Sequence, residues 1–92
     1  MIVRIAGEGQ FEIDDDCQNR LNQLDNEAVA AVDAGDEGRF RSIWQEMLAL
    51  IEREGRAVPN DELFGSDVIF PPRDVTFDEA QRDFTGDGLL PD

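Results

Sequence analysis

Residues 14–55 read DDDCQNRLNQLDNEAVAAVDAGDEGRFRSIWQEMLALIEREG, and the fold turns on how this stretch is parsed. Apolar side chains recur at Cys17, Leu21, Leu24, Ala28 and Ala31 in alternating steps of four and three, with Val29 and Val32 widening the stripe. That spacing predicts an amphipathic helix running to about Ala34, with Gly35 as its C-terminal stop. Asp36 then caps a second helix whose apolar set is Phe40, Ile43, Trp44, Met47, Leu48, Leu50 and Ile51, ending before Gly55. A link as short as Ala34-Gly35-Asp36 sends the second helix back along the first, giving an antiparallel helical hairpin. Asp14-Asp15-Asp16 supplies the N-cap and favourable charge for the first helix; no calcium-loop spacing surrounds it.

Upstream, Ile2-Val3-Arg4-Ile5 is rich in β-branched residues and reads as a strand, and Gly7-Glu8-Gly9 suits a tight turn. Gln10-Phe11-Glu12-Ile13 alternates polar and apolar, which puts Phe11 and Ile13 on one face. The pair makes a β-hairpin with one side to bury, and a two-stranded hairpin needs a cover to be stable.

Downstream, Pro59-Asn60-Asp61-Glu62 reads as a turn. Val68-Ile69-Phe70 is a short extended run, ended by Pro71-Pro72, that either adds a third strand or docks as extended chain. Thr76-Phe77-Asp78-Glu79 has the capping-box pattern and opens a short helix carrying Phe77, Ala80 and Phe84, which stops at Gly86. Residues 87–92 close the chain as a turn and an extended tail.

The second helix has a broader apolar arc than a single helix–helix seam needs. It therefore either covers the β-hairpin as well or leaves part of its face open to a partner. Phe40, Trp44, Met47 and Leu48 are the candidate partner-binding residues, because Trp and Met are enriched at interfaces.

Composition narrows the chemistry. Twenty-two acidic residues stand against eight basic ones, all of them arginine, for a formal charge of -14, and the chain has no histidine, lysine or tyrosine. Such a charge disfavours phosphate backbones and anionic lipid surfaces, and the eight arginines project no basic face, so nucleic-acid binding is not expected. Without histidine or lysine the usual bases for nucleophilic catalysis are missing, and no catalytic, cofactor or metal-binding residue is assigned. Asp83-Phe84-Thr85-Gly86-Asp87-Gly88 lacks the ligand spacing of a calcium loop. Cys17, the single cysteine, lies on the core-facing stripe and reads as a structural thiol. No signal-peptide core or membrane-length apolar run is present, so direct membrane insertion is not expected and a cytoplasmic location is. The acids fit either a surface kept hydrated in a salt-rich cytoplasm or one that meets a basic partner.

Taken in order, several segments resemble the PspA-associated, or PspAA-type, family of small proteins linked to the phage-shock protein A system of actinobacteria and archaea. These are Met1-Ile2-Val3-Arg4-Ile5-Ala6 with Gly9-Gln10-Phe11-Glu12-Ile13, then Leu21-Asn22-Gln23-Leu24-Asp25 and Ala34-Gly35-Asp36. Ser66-Asp67-Val68-Ile69-Phe70-Pro71-Pro72 and Gly86-Asp87-Gly88-Leu89-Leu90-Pro91 continue the match. The resemblance implies a cytoplasmic accessory to a PspA-like, membrane-remodelling coiled-coil protein of the envelope-stress response, recruited to the membrane through that partner. It implies no catalytic residues.

The chain thus reads as one α+β domain over residues 1–92: a β-hairpin in 1–13, packed on a helical hairpin in 14–55, with a turn, extended segment, short helix and tail in 56–92. The expected function is a non-enzymatic interaction module that binds and regulates a PspA-like protein. The alternatives are a self-assembling homodimeric module and an acidic regulator occupying a basic groove on its partner.

Overall fold

A computed structural model of the chain describes residues 1–59, 65–84, 86 and 88–90. Its elements in order are β1 (Ile2–Ile5), β2 (Gly9–Glu12), α1 (Asp15–Asp33), α2 (Glu37–Glu54), β3 (Arg56–Val58), β4 (Val68–Phe70) and α3 (Phe77–Asp83). The strands form one sheet in the order β3-β2-β1-β4, with β1 antiparallel to β2, β2 antiparallel to β3, and β1 parallel to β4. Val68-Ile69-Phe70 therefore adds a strand to the hairpin, and the architecture is α+β.

Alternation along the strands sets the two faces. Val3, Ile5, Val68 and Phe70 are buried on the inner face, while Arg4 and Ile69 between them point outward and are exposed. Asp67 prolongs the β1–β4 ladder, donating its N–H to the Ile2 carbonyl at 2.9 Å and accepting the Ile2 N–H on Oδ2 at 2.8 Å. Pro71 and Pro72 have no N–H to extend it, so β4 stops there.

β3 is a strand the sequence did not announce. Arg-Ala-Val is too short for a two-residue period to register, and its pairing with β2 defines it. One sign of that pairing is the cross-strand ion pair of Arg56 with Glu12, opposite it in register, at 3.0 Å. A second departure concerns Gln10. It lies on the outer face yet is buried, donating from Nε2 to Ser66 Oγ at 3.3 Å, whereas Phe11 on the inner face is only half-buried.

The helical hairpin forms as its spacing predicts. Asp14 Oδ1 accepts the Cys17 N–H at 2.8 Å, which is the N-cap of α1. At the other end Gly35 N–H reaches Val32 O at 3.0 Å and Asp36 N–H reaches Ala31 O at 2.9 Å, the pair of bonds of a Schellman motif. Asp36 at once caps α2 by accepting the Arg39 N–H on Oδ1 at 3.1 Å. The geometry depends on Gly35, whose φ of 69° is left-handed and disfavours any residue with a Cβ. A Cβ there would meet nothing within 4 Å, so only backbone conformation is at stake. Gly35→Ala is accordingly expected to cost about 1 kcal/mol in chemical denaturation, with the fold unchanged.

The seven residues of the α2 apolar set named above, Phe40 to Ile51 without Ala49, are all buried. Phe40, Trp44, Phe70 and Phe84 form an aromatic cluster, with Phe40–Phe84 centroids 5.1 Å apart and edge-on, and Trp44–Phe70 centroids 5.6 Å apart. It joins α2 to β4 and to the residue that ends α3. Trp44 Nε1 donates to the Arg73 carbonyl at 3.1 Å. The breadth of the α2 arc is thus explained by its double duty: it covers the sheet and seats α3. Phe40, Trp44, Met47 and Leu48 are exposed by 0, 1, 0 and 1%, so these candidate contacts offer no surface to a partner in this fold.

α3 begins with a complete capping box, Thr76 Oγ1 accepting the Glu79 N–H and Glu79 accepting the Thr76 N–H, both at 3.1 Å. The Thr76 N–H, and after it the Thr76 hydroxyl donating at 2.9 Å, hold the Glu79 carboxyl below the usual glutamate range. Most of the turn expected at Pro59-Asn60-Asp61-Glu62, and part of the closing tail, lie outside the described residues.

Candidate functional site

Most of the apolar surface is spent on the core, and what remains open narrows the search. Ile69, 66% exposed on β4, is the large apolar side chain most open to solvent among the described residues. It borders a shallow hollow of about 280 Å³ shared with Ala6, Phe70, Pro71, Asp83 and Leu89. The larger feature is a groove of about 460 Å³ along the solvent side of the α1–α2 pair.

That groove follows from helix periodicity. On α1 it is lined by Arg20, Gln23, Leu24 and Glu27, and on α2 by Glu46, Ala49, Leu50 and Arg53, each set spaced three, one and three residues apart. Such spacing keeps four side chains on one face over two turns. The antiparallel course of the helices sets Arg20 across from Arg53, the Leu24–Gln23 step across from Ala49–Leu50, and Glu27 across from Glu46. Both guanidinium groups converge on the same Glu54 oxygen, Arg20 at 2.6 Å and Arg53 at 3.4 Å, so the cations lining one end are gathered on a single carboxylate. Glu27 and Glu46 make the other end acidic, about 10 Å away at 1.5 Å per residue. Leu50, buried, and Leu24, half-buried, form the floor.

The sequence reading placed Leu24 and Leu50 on the apolar stripes and did not single out the polar and charged residues beside them. Their signal was the seven-residue separation of Arg20 from Glu27 and of Glu46 from Arg53, visible once the hairpin register is known. The candidates it did name lie on the opposite, core side of α2.

Two further sites hold the frame together. Arg73 bonds Glu8 from Nε at 3.1 Å and from Nη2 at 2.8 Å, and also bonds Glu52, so the β1–β2 turn, α2 and the chain entering α3 are tied at one guanidinium. Both carboxylates push the Arg73 pKa up. Asp25, fully buried on α1, accepts the Leu89 and Leu90 N–H groups at 3.0 Å each and so fastens the C-terminal segment to the helix. Gly88 lets the chain come this close: a Cβ there would fall 2.5 Å from Asp25 Oδ2.

Cys17 is fully buried, and burial followed by the charges of Glu54 and Asp14 raises its thiol pKa. The thiolate is the reactive form, so native Cys17 should resist iodoacetamide at neutral pH and react once the chain is unfolded. Modification of the native protein as fast as of the unfolded chain would contradict the buried placement. Among the described residues, no group of three or more His, Cys, Asp or Glu is arranged to hold a metal, and no helix is long and apolar enough to cross a membrane.

The family model of PspA-Associated proteins matches residues 1–92, the whole chain. The chain belongs to this family. The PspA-Associated name ties its members to PspA, and the family is an accessory one, not a known enzyme family. No curated protein and no solved structure matches the chain.

Proposed function

We propose that this domain is a non-enzymatic accessory module that binds a PspA-like coiled-coil protein and regulates it in the envelope-stress response. The observation that carries the reading is the family match over residues 1–92. The fold is compatible with it: two antiparallel helices with an open groove on their solvent side can seat a third helix at the 8–10 Å spacing usual for packed helices. In this reading Phe40, Trp44, Met47 and Leu48 act from beneath, fixing the position of α2 so that Glu46, Ala49, Leu50 and Arg53 face the partner. The protein works in the cytoplasm and reaches the membrane through its partner, since its charge of -14 repels anionic lipid.

Co-purification of the tagged full chain from its native host at native salt, followed by mass spectrometry, tests this. The expected result is a PspA-like coiled-coil protein recovered in near-stoichiometric amount. Recovery of the bait alone, at the mass of two or more chains, would sink the adaptor reading in favour of a self-assembling module.

A further inference from the structure

The α1–α2 groove carries a polarity that the family assignment does not supply. Two of the eight arginines of this strongly acidic chain, Arg20 and Arg53, meet on Glu54 at one end, and Glu27 and Glu46 line the other. The side chains that line the groove are thus cationic at one end, where both guanidinium groups also bond Glu54, and anionic at the other. Between them the floor is apolar but narrow, built on Leu24 and Leu50.

We infer that the groove is a docking site for an amphipathic helix carrying a carboxylate and, seven residues away, a lysine or arginine, with one or two aliphatic side chains between them. Charge complementarity is the argument. A helix laid along the groove projects residues i, i+3, i+4 and i+7 on one face, matching the two-turn span from Arg20 to Glu27. Its acid meets the two guanidinium groups, its base meets the two carboxylates, and its aliphatic residues cover Leu24 and Leu50. The small apolar floor leaves recognition mainly to the charges, which set register and orientation more than raw affinity. A second copy of this chain fits less well. A two-fold axis would also bring opposite charges together, but the apolar floor is too small for a stable dimer core, and two chains of -14 repel.

This inference deepens the proposed function by naming the chemistry of the docked segment, and its test separates the two. The full chain is titrated by NMR with a synthetic helix bearing Glu at i, Leu at i+3, Ala at i+4 and Lys at i+7. The variants compared are Arg20→Glu with Arg53→Glu, and, as a control with the same change in net charge, Arg39→Glu with Arg56→Glu. Shifts are expected at 20–27 and 46–53. Affinity should fall at least about ten-fold for the groove variant and stay within about two-fold for the control. Equal loss in both variants, equal binding by the groove variant, shifts centred on Ile69, or no binding overturns the inference. Groove shifts on self-dilution with a two-chain mass overturn it in favour of a second copy. If the synthetic helix binds the groove but no PspA-like protein co-purifies, the docking chemistry stands and the partner assignment falls.

Discussion

Trp44→Ala is expected to lower stability by about 3–5 kcal/mol, the usual cost of removing a fully buried large aromatic side chain. Two effects add at this position. The indole is packed between α2, β4 and the end of α3, with Phe84 edge-on at 5.8 Å and Phe70 at 5.6 Å, so its loss opens a cavity where three elements meet. Its N–H also donates to the Arg73 carbonyl, which would be left unpaired. A chain of 92 residues has a total stability of about 5–14 kcal/mol by per-residue scaling, so the variant is close to unfolded at the low end. Trp44→Phe keeps most of the volume and should cost about 1–2 kcal/mol. Urea denaturation of both variants measures this. A loss below about 1 kcal/mol for Trp44→Ala would mean that the side chain is not in the core, and would return it to the list of surface contacts.

Asp25→Ala should cost about 2–4 kcal/mol. The carboxylate accepts two backbone N–H groups of the C-terminal segment, and hydrogen bonds to a charged group are stronger than neutral ones. The cost has a ceiling, because the segment can detach instead of leaving its N–H groups unpaired. Detachment exposes Leu90, 2% exposed at present, and burial of one leucine is worth about 2 kcal/mol. Asp25→Asn fares little better, since each N–H meets a separate carboxylate oxygen and the amide NH₂ would face one of the two donors. Hydrogen exchange separates the outcomes: the Leu89 and Leu90 amides should lose protection before the rest of the domain. A variant with unchanged protection there and less than about 0.5 kcal/mol lost would contradict the fastening role.

Much of the fold was written in simple periods. α2 shows seven large apolar residues at helical spacing, and all seven are buried; Gly35 and Asp36 spell out the link between the helices. β3 was not legible because three residues carry no period, and its identity as a strand comes from partners elsewhere in the chain. Asp25 was not singled out, for another reason. A carboxylate is assumed to be solvated, yet Asp25 stands four residues after Leu21 and three before Ala28, on the apolar stripe itself, and that position was the available signal. Gln10 repeats the lesson on the sheet, where Ser66 covers it from a distant segment. The site was harder still. Broad apolar patterning drew attention to Trp44 and Met47, but broad apolar patterning is what a core helix has, and the open groove is marked by charges whose pairing depends on the hairpin register.

The central claim is that the solvent side of the α1–α2 pair, not its apolar side, meets the PspA-like partner. Hydrogen exchange on the full chain with and without the purified PspA-like protein tests it most directly. The account predicts added protection within 20–27 and 46–53, with β4 and α3 unchanged. A footprint on β4 around Ile69, or loss of protection at Trp44 and Met47 as the core opens to the partner, would contradict it.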